Sequence, residues 1–268
     1  MARGRTAKVL THRWERGELH RRPEVLAVEE PLEIHLDGVL VATTMRTPGH
    51  DFELAAGFCH TEGLLAGAPV RRCRYCGTGS AVDSEFNVVT VETGGLAPTP
   101  TPRLTATTSA CGMCGTTAVD ELRHRLRPLP PSPPIPLEVL ASVGDRAGGA
   151  QRLFDATGGV HAAMAFDAAG DPVVVREDVG RHNAVDKVVG RLLLDGALPA
   201  AGLGLWVSGR VSFEIVQKAW AAGLATVVAV SAPTSLAVEA ARLGGVSLCA
   251  FARGGRLNVY TGEGVVAP

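Results

Sequence analysis

Between residues 137 and 261 the chain alternates short apolar runs with longer amphipathic ones, and this alternation narrows the fold more than any other feature. LGLWVSG, TVVAVSA and VSLCAFAR are mostly apolar and of strand length, as strands covered on both faces are. NAVDKVVGRLLLDG, SFEIVQKAWAAG and SLAVEAARLGG have helical spacing and stop on glycine. VHAAMAFDAAGDPVVVRED reads as strand, turn, strand, and Gly254-Gly255 joins VSLCAFAR to the strand RLNVYTG. LEVLASVGDRAGGAQRLFDATGG is expected to be one helix ending at Gly158-Gly159. The implied class is an α/β layered sandwich with antiparallel ends.

The first half reads as mixed α+β. EEPLEIHLDGVLVATTMRT alternates apolar and polar residues and turns at Asp37-Gly38, a hairpin signature. DFELAAGFCHTEGLL has helical spacing, and FNVVTVE is a strand. Residues 104–110 are expected as a strand and Thr116 onward as a helix start, with Thr117 capping. Six prolines in the nine residues from Pro128 to Pro136 exclude a helix interior or central strand. The organisation expected is a basic arm (1–24), an α+β domain (25–127), a Pro-rich linker (128–136) and an α/β domain (137–268). The arm is read as a mobile or edge segment.

With 268 residues and 46% hydrophobic content, the chain can bury a core without disulfide or metal staples. A net charge of -1 argues against a nucleic-acid binder with a wholly basic surface. The cations are 23 Arg and 3 Lys. That bias fits codon preference, or recognition of phosphates and carboxylates, where Arg outperforms Lys. The N-terminus has no apolar signal region. Residues 219–238 are uncharged and long enough to cross a bilayer, but Gly223, Ser231 and Pro233 break them into helix end, strand and new helix. A soluble, cytoplasmic protein is expected, with neither membrane nor nucleic-acid partner.

Cysteine usage is the sharpest local signal. Four of six cysteines form two CxxC pairs, Cys73/Cys76 and Cys111/Cys114. In CGMC, a following helix would stabilise a thiolate at its N-terminus, and Gly112 and Gly115 leave access. Persulfide or disulfide chemistry suits such a pair. Four sulfurs also make the full shell of a structural zinc site, although 34 residues separate Cys76 from Cys111. Spacing leaves both readings open. A zinc deaminase is excluded on ligands: His161 has no Glu two residues on, and no PCxxC follows it. Cys59 and Cys249 read as buried small hydrophobes.

Three loops after strands suit a phosphate-bearing ligand. REDVGRHNAVDK gathers Arg176, Asp178, Arg181 and His182 at a strand-to-helix junction. SGRVSFE offers Ser208, amides and Arg210 ahead of a helix. FARGGR sets Arg253 and Arg256 around two glycines. No P-loop and no G-x-G-x-x-G after a strand appears, which argues against ordinary ATP or NAD chemistry.

Taken in order, EEPLEIHLDG, ELAAGFCHTEGLL, CGMCG, REDVGRHNAVDKVVG, SGRVSFEIVQKAWAAG and FARGGRLNVYTG resemble the FdhD family, accessory sulfurtransferases of formate dehydrogenase. The resemblance runs from about residue 25 to 263. It implies a cytidine-deaminase-like α/β/α core without the deaminase zinc. It implies a sulfur carrier that loads from a cysteine desulfurase. The acceptor is the molybdenum bis(molybdopterin guanine dinucleotide) cofactor of formate dehydrogenase, which a GDP-like nucleotide would mimic. Cys111 falls on the persulfide carrier and Cys114 on its assistant. The cofactor-binding segment falls on Phe251, Ala252, Arg253, Gly254, Gly255 and Arg256. A homodimer is implied. The Cys73/Cys76 pair departs from the family pattern; with Cys111 and Cys114 it could hold zinc in a non-catalytic cofactor carrier. A third reading is a thiol-disulfide oxidoreductase.

Overall fold

The computed structural model describes residues 4–76, 81–82, 84–100, 122 and 124–262. Strands β1 (Thr6–Glu15) and β2 (Glu18–Ala27) form a two-stranded antiparallel ribbon. At about 3.3 Å per residue each strand spans roughly 33 Å. Nearly every side chain on it is exposed, so the N-terminal arm is a projecting hairpin rather than an unstructured tail. Arg16 and Gly17, both at positive φ, turn it.

A four-stranded sheet follows, in the order β4-β3-β6-β5, from β3 (Glu30–Leu36), β4 (Val39–Arg46), β5 (Arg72–Tyr75) and β6 (Val88–Glu92). Asp37 and Gly38 take positive φ at the expected β3–β4 turn. Alternation buries Leu32, Ile34 and Leu36 against helix α1 (Asp51–Thr61).

The second sheet has six strands in the order β12-β11-β10-β9-β7-β8. They are β7 (His161–Phe166), β8 (Pro172–Asp178), β9 (Gly204–Val207), β10 (Thr226–Ala229), β11 (Ser247–Arg253) and β12 (Arg256–Thr261). β9, β10 and β11 are parallel; the flanking strands are antiparallel. One face packs on α4 (Arg181–Leu194), α5 (Phe213–Ala221) and α6 (Ser235–Gly244). The other face packs on α2 (Leu137–Gly148). This is the expected α/β layering. The helix read over 137–159 is two, because the chain breaks at Gly149 before α3 (Arg152–Thr157). The break lets the amides of Leu153 and Phe154 meet the buried Glu177 carboxylate at 3.0 and 2.7 Å.

The Pro-rich segment is no free tether. Arg127 O accepts from Trp220 Nε1 at 2.7 Å, Leu129 N donates to Gly244 O at 2.9 Å, and Ile135 is buried. It straps the end of the sheet where the parallel strands begin, beside a cavity of about 700 Å³ lined by Pro131, Ala225, Val246 and Tyr260. The strand expected at 104–110 and the helix start at Thr116 lie outside the described residues.

The two halves meet backbone to backbone where α1 crosses α4. A Cβ built on Gly57 would lie 1.9 Å from Asp186 O, and one on Gly190 would lie 1.8 Å from Glu53 O. Three ion pairs surround this crossing. Lys187 Nζ meets Asp178 at 2.6 Å and donates to Thr47 O at 2.9 Å. Lys218 Nζ meets Asp186 at 2.8 Å, and Thr61 Oγ1 joins them. Arg176 grips Glu53 through two bonds of 2.5 and 2.9 Å.

Burial alone would push the Glu53 carboxyl up; hydrogen bonds from Arg176 and His50 outweigh it and bring it down to about 2 from an ordinary 4.5. A depressed carboxyl stabilises the fold above its unfolded value and loses that contribution as pH falls toward the folded one. The stability difference between wild type and Glu53→Gln is therefore expected to be full at pH 7 and to shrink between pH 4.5 and 2. Urea midpoints measured across that window check it. A difference that stays constant with pH would show that Glu53 acts through packing and not through its charge.

Candidate functional site

Strand direction decides where the site lies. The parallel strands β9, β10 and β11 all end at one edge of the six-stranded sheet. β7 runs against β9 and therefore begins there; β8 ends there and β12 begins there. The three loops read from the sequence as phosphate-suited converge on this one edge, where α/β sheets bind ligands. The N-termini of α4, α5 and α6 open onto the same edge and add their positive dipole ends.

Most of the REDVGRHNAVDK segment is turned inward. Arg176 is held by Glu53, and Glu177 caps α3. Asp178 has no exposed surface; it binds Lys187 and accepts from Thr47 N, Gly180 N and Asn183 Nδ2 at 3.1, 2.8 and 3.0 Å. Arg176 and Asp178 were expected at the ligand, and the geometry corrects both to joints between the halves. His182 Nε2 lies 3.1 Å from Ser212 Oγ and ties α4 to α5. Burial first, then the Arg181 and Lys218 charges, push its pKa down to about 4, so it is neutral near pH 7.

Arg181 is the exception. It opens α4, its Nε is buried without a hydrogen-bond partner among the described residues, and burial and then the Arg210 charge lower its proton affinity. Arg210 is exposed on the loop after β9. Arg210 lies near enough for its charge to act on Arg181; Glu214 acts on Arg181 in the opposite sense, but neither guanidinium forms an ion pair with a carboxylate among the described residues, and such a pair suits an anion. Ser208 faces inward here: its Oγ accepts from Ala162 N at 3.0 Å.

The β11–β12 hairpin repeats the arrangement. Gly254 and Gly255 take φ 59 and 71, the tight two-residue turn. The register sets Arg253 directly opposite Arg256, both exposed. Like charges face to face weaken a hairpin unless an anion sits between them. Ala252 is buried and serves the core, so it gives the ligand no side chain. Phe251 is 47% exposed at φ 55, where the ladder slips between Ala250 and Arg253. A bulky residue held left-handed at a bulge with its ring in solvent is a feature of binding sites.

The sequence reading missed His161 at this edge, having weighed it only as a zinc ligand. The signal was available: a β7–β8 hairpin turning near Gly170 pairs residue 161 with 178.

Cys111 and Cys114 lie outside the described residues. Cys73 packs into the core of the four-stranded sheet, and burial pushes its thiol up to about 11. Cys76 Sγ sits 3.0 Å from Ser84 Oγ. The described residues hold no group of three or more His, Cys, Asp or Glu able to bind a metal. Cys59 and Cys249 are buried, their thiols pushed up by desolvation. No helix among the described residues is long and apolar enough to cross a membrane.

Comparison with known proteins agrees with this architecture. A protein from Streptomyces avermitilis named sulfur carrier protein FdhD is 50% identical over 260 residues, 94% of this chain and 92% of that protein. A protein of the same name from Anaeromyxobacter dehalogenans is 48% identical over 250 residues, 88% of this chain and 86% of that one. A crystal structure from Desulfotalea psychrophila, described as a formate dehydrogenase accessory protein, superposes with a TM-score of 0.75 over 98% of this chain and all of that one; at 23% identity it speaks for the fold alone. The model of the FdhD/NarQ family matches residues 27–267, and the chain belongs to that family.

Proposed function

We propose that this chain is a sulfur carrier for formate dehydrogenase maturation, working as a homodimer in the cytoplasm. It takes sulfane sulfur from a cysteine desulfurase on Cys111 and hands it to the molybdenum bis(molybdopterin guanine dinucleotide) cofactor. The observation that carries the cofactor half of this reading is the two arginine couples, Arg181/Arg210 and Arg253/Arg256, at one sheet edge, none of them in an ion pair among the described residues although the Glu214 charge acts on Arg181. A diphosphate is the natural occupant of such an edge. The names of the relatives support the sulfur half. The α/β/α layers are read as the cytidine-deaminase-like core, put to nucleotide binding instead of deamination.

The sulfur chemistry balances within the CxxC pair. The Cys111 thiolate attacks the outer sulfur of the donor persulfide; the donor thiolate leaves and Cys111-S-SH forms. That step moves neutral sulfur and needs no reductant. Release as hydrosulfide needs two electrons. Cys114 supplies them by attacking the inner sulfur, forming the Cys111–Cys114 disulfide as HS⁻ departs toward the metal. A thiol reductant then resets the pair.

Peptide mass spectrometry after incubation with a desulfurase and cysteine tests the carrier. One added sulfur on the Cys111 peptide, lost on reduction, is expected. An unmodified Cys111 with stoichiometric zinc would instead establish the non-catalytic carrier clipped by the two CxxC pairs.

Phe251 is proposed to stack on the guanine. Phe251→Ala is expected to weaken GDP binding by about 10-fold, within the roughly 1–3 kcal/mol of a base–aromatic stack. Phe251→Tyr should restore it. Calorimetric titration with GDP decides, and equal affinities for wild type and Phe251→Ala would remove the ring from the site.

A further inference from the structure

The start of β7 carries a group that neither the sequence motifs nor the relatives' names assign. His161 sits half-buried beside Ser208, with its Nδ1 3.4 Å from Ser208 Oγ. That hydroxyl already accepts a hydrogen bond from Ala162 N at 3.0 Å, so its own proton is available to Nδ1. An Nδ1 that accepts leaves the ring proton on Nε2. Nε2 has no hydrogen-bond partner among the described residues. The next residue, Gly209, is the wall between this ring and Arg181. A Cβ there would lie 3.3 Å from the imidazole Cε1 and Nδ1 and 3.6 Å from Arg181 Cδ. A side chain at 209 would crowd the imidazole by a few tenths of an ångström, so glycine suits the close approach of the ring to the Arg181 stem.

We propose that His161 is a third donor to the anion held by Arg181 and Arg210, with Ser208 as the positioning residue that fixes its tautomer. This inference rests on the nucleotide-site reading and adds a proton to it. The charged groups acting on the ring are Arg181 from α4 and Asp178 directly opposite on β8; Arg210, on the loop after β9, acts on Arg181. Asp178 is already neutralised by Lys187. Burial first, then Arg181, hold His161 below its ordinary pKa, which favours the neutral ring at pH 7. A phosphate placed among these donors favours the imidazolium. Binding therefore takes up a proton, and affinity rises as pH falls.

GDP titrations of the full chain between pH 6 and 8 test this. His161→Ala is expected to weaken GDP binding by about 10-fold at pH 6, the scale of one hydrogen bond to a charged group. His161→Gln keeps a donor and should retain most of the affinity at pH 8. It should lose the extra gain that wild type shows on going to pH 6. The titration of the GDP phosphate is common to both proteins, so the difference in slope isolates the imidazole. Equal slopes and equal affinities for wild type and both variants, with binding lost in Arg181→Ala, would overturn the role of His161 and leave the arginine site standing. Undiminished binding by Arg181→Ala would overturn both.

Discussion

Cells whose only copy of this protein carries Cys111→Ala are expected to have no formate dehydrogenase activity, while the variant accumulates and melts as wild type does. The size of this effect follows from the chemistry. A carrier thiol forms and breaks the bond to the transferred atom, and no neighbouring group replaces it. Loss of a structural zinc ligand would behave differently. It would lower thermal stability, and Cys73, Cys76 and Cys114 would all be as sensitive as Cys111. Cys114→Ala separates the steps further. It should still load one sulfur on Cys111 but fail to release it as sulfide, so the persulfide accumulates. Normal formate dehydrogenase activity in the Cys111→Ala strain would end the assignment. A variant that fails to accumulate would instead point to a structural role.

The second large effect is on stability. Gly190→Ala replaces glycine by the best helix former, which in an open helix gains about 1 kcal/mol. Here the added methyl would sit 1.8 Å from Glu53 O on the crossing helix, where backbone cannot yield as a side-chain tip can. Overpacking against backbone outweighs the propensity gain and should cost about 3 kcal/mol or more. For a chain of this size that lowers Tm on the order of 10 °C. The sign alone is decisive: a more stable Gly190→Ala would mean that α1 and α4 do not touch. Gly57→Ala, whose methyl would meet Asp186 O at 1.9 Å, is expected to behave the same way.

Most of the second sheet was legible because its strands and helices differ in period and each helix stops on glycine. The break at Gly149 was not, because the residues on both sides of it keep helical spacing; the partner that rewards the break, Glu177, comes 28 positions later. The candidate site was legible by location and less so by role. Polar residues crowded around Gly180 marked the right edge of the sheet. A single sequence does not show that Arg176 reaches back to Glu53 and Asp178 to Thr47, since both partners lie more than 120 positions away. The ordinary association of charge with surface hid the joint between the halves, which is built from charges.

The projecting ribbon has a bearing on the solubility of the chain. Each of its strands has one edge of amides and carbonyls with no neighbour in the sheet, an open template for stray pairing. The residues on it oppose that. Lys8, Arg13, Arg21 and Arg22 outnumber Glu15, Glu18 and Glu24 on its strands, and Pro23, facing Leu10, has no amide hydrogen to offer. Charged side chains along the edges and a proline that cannot donate both disfavour edge-to-edge pairing of two such ribbons, which protects a long bare hairpin from becoming the seed of an aggregate.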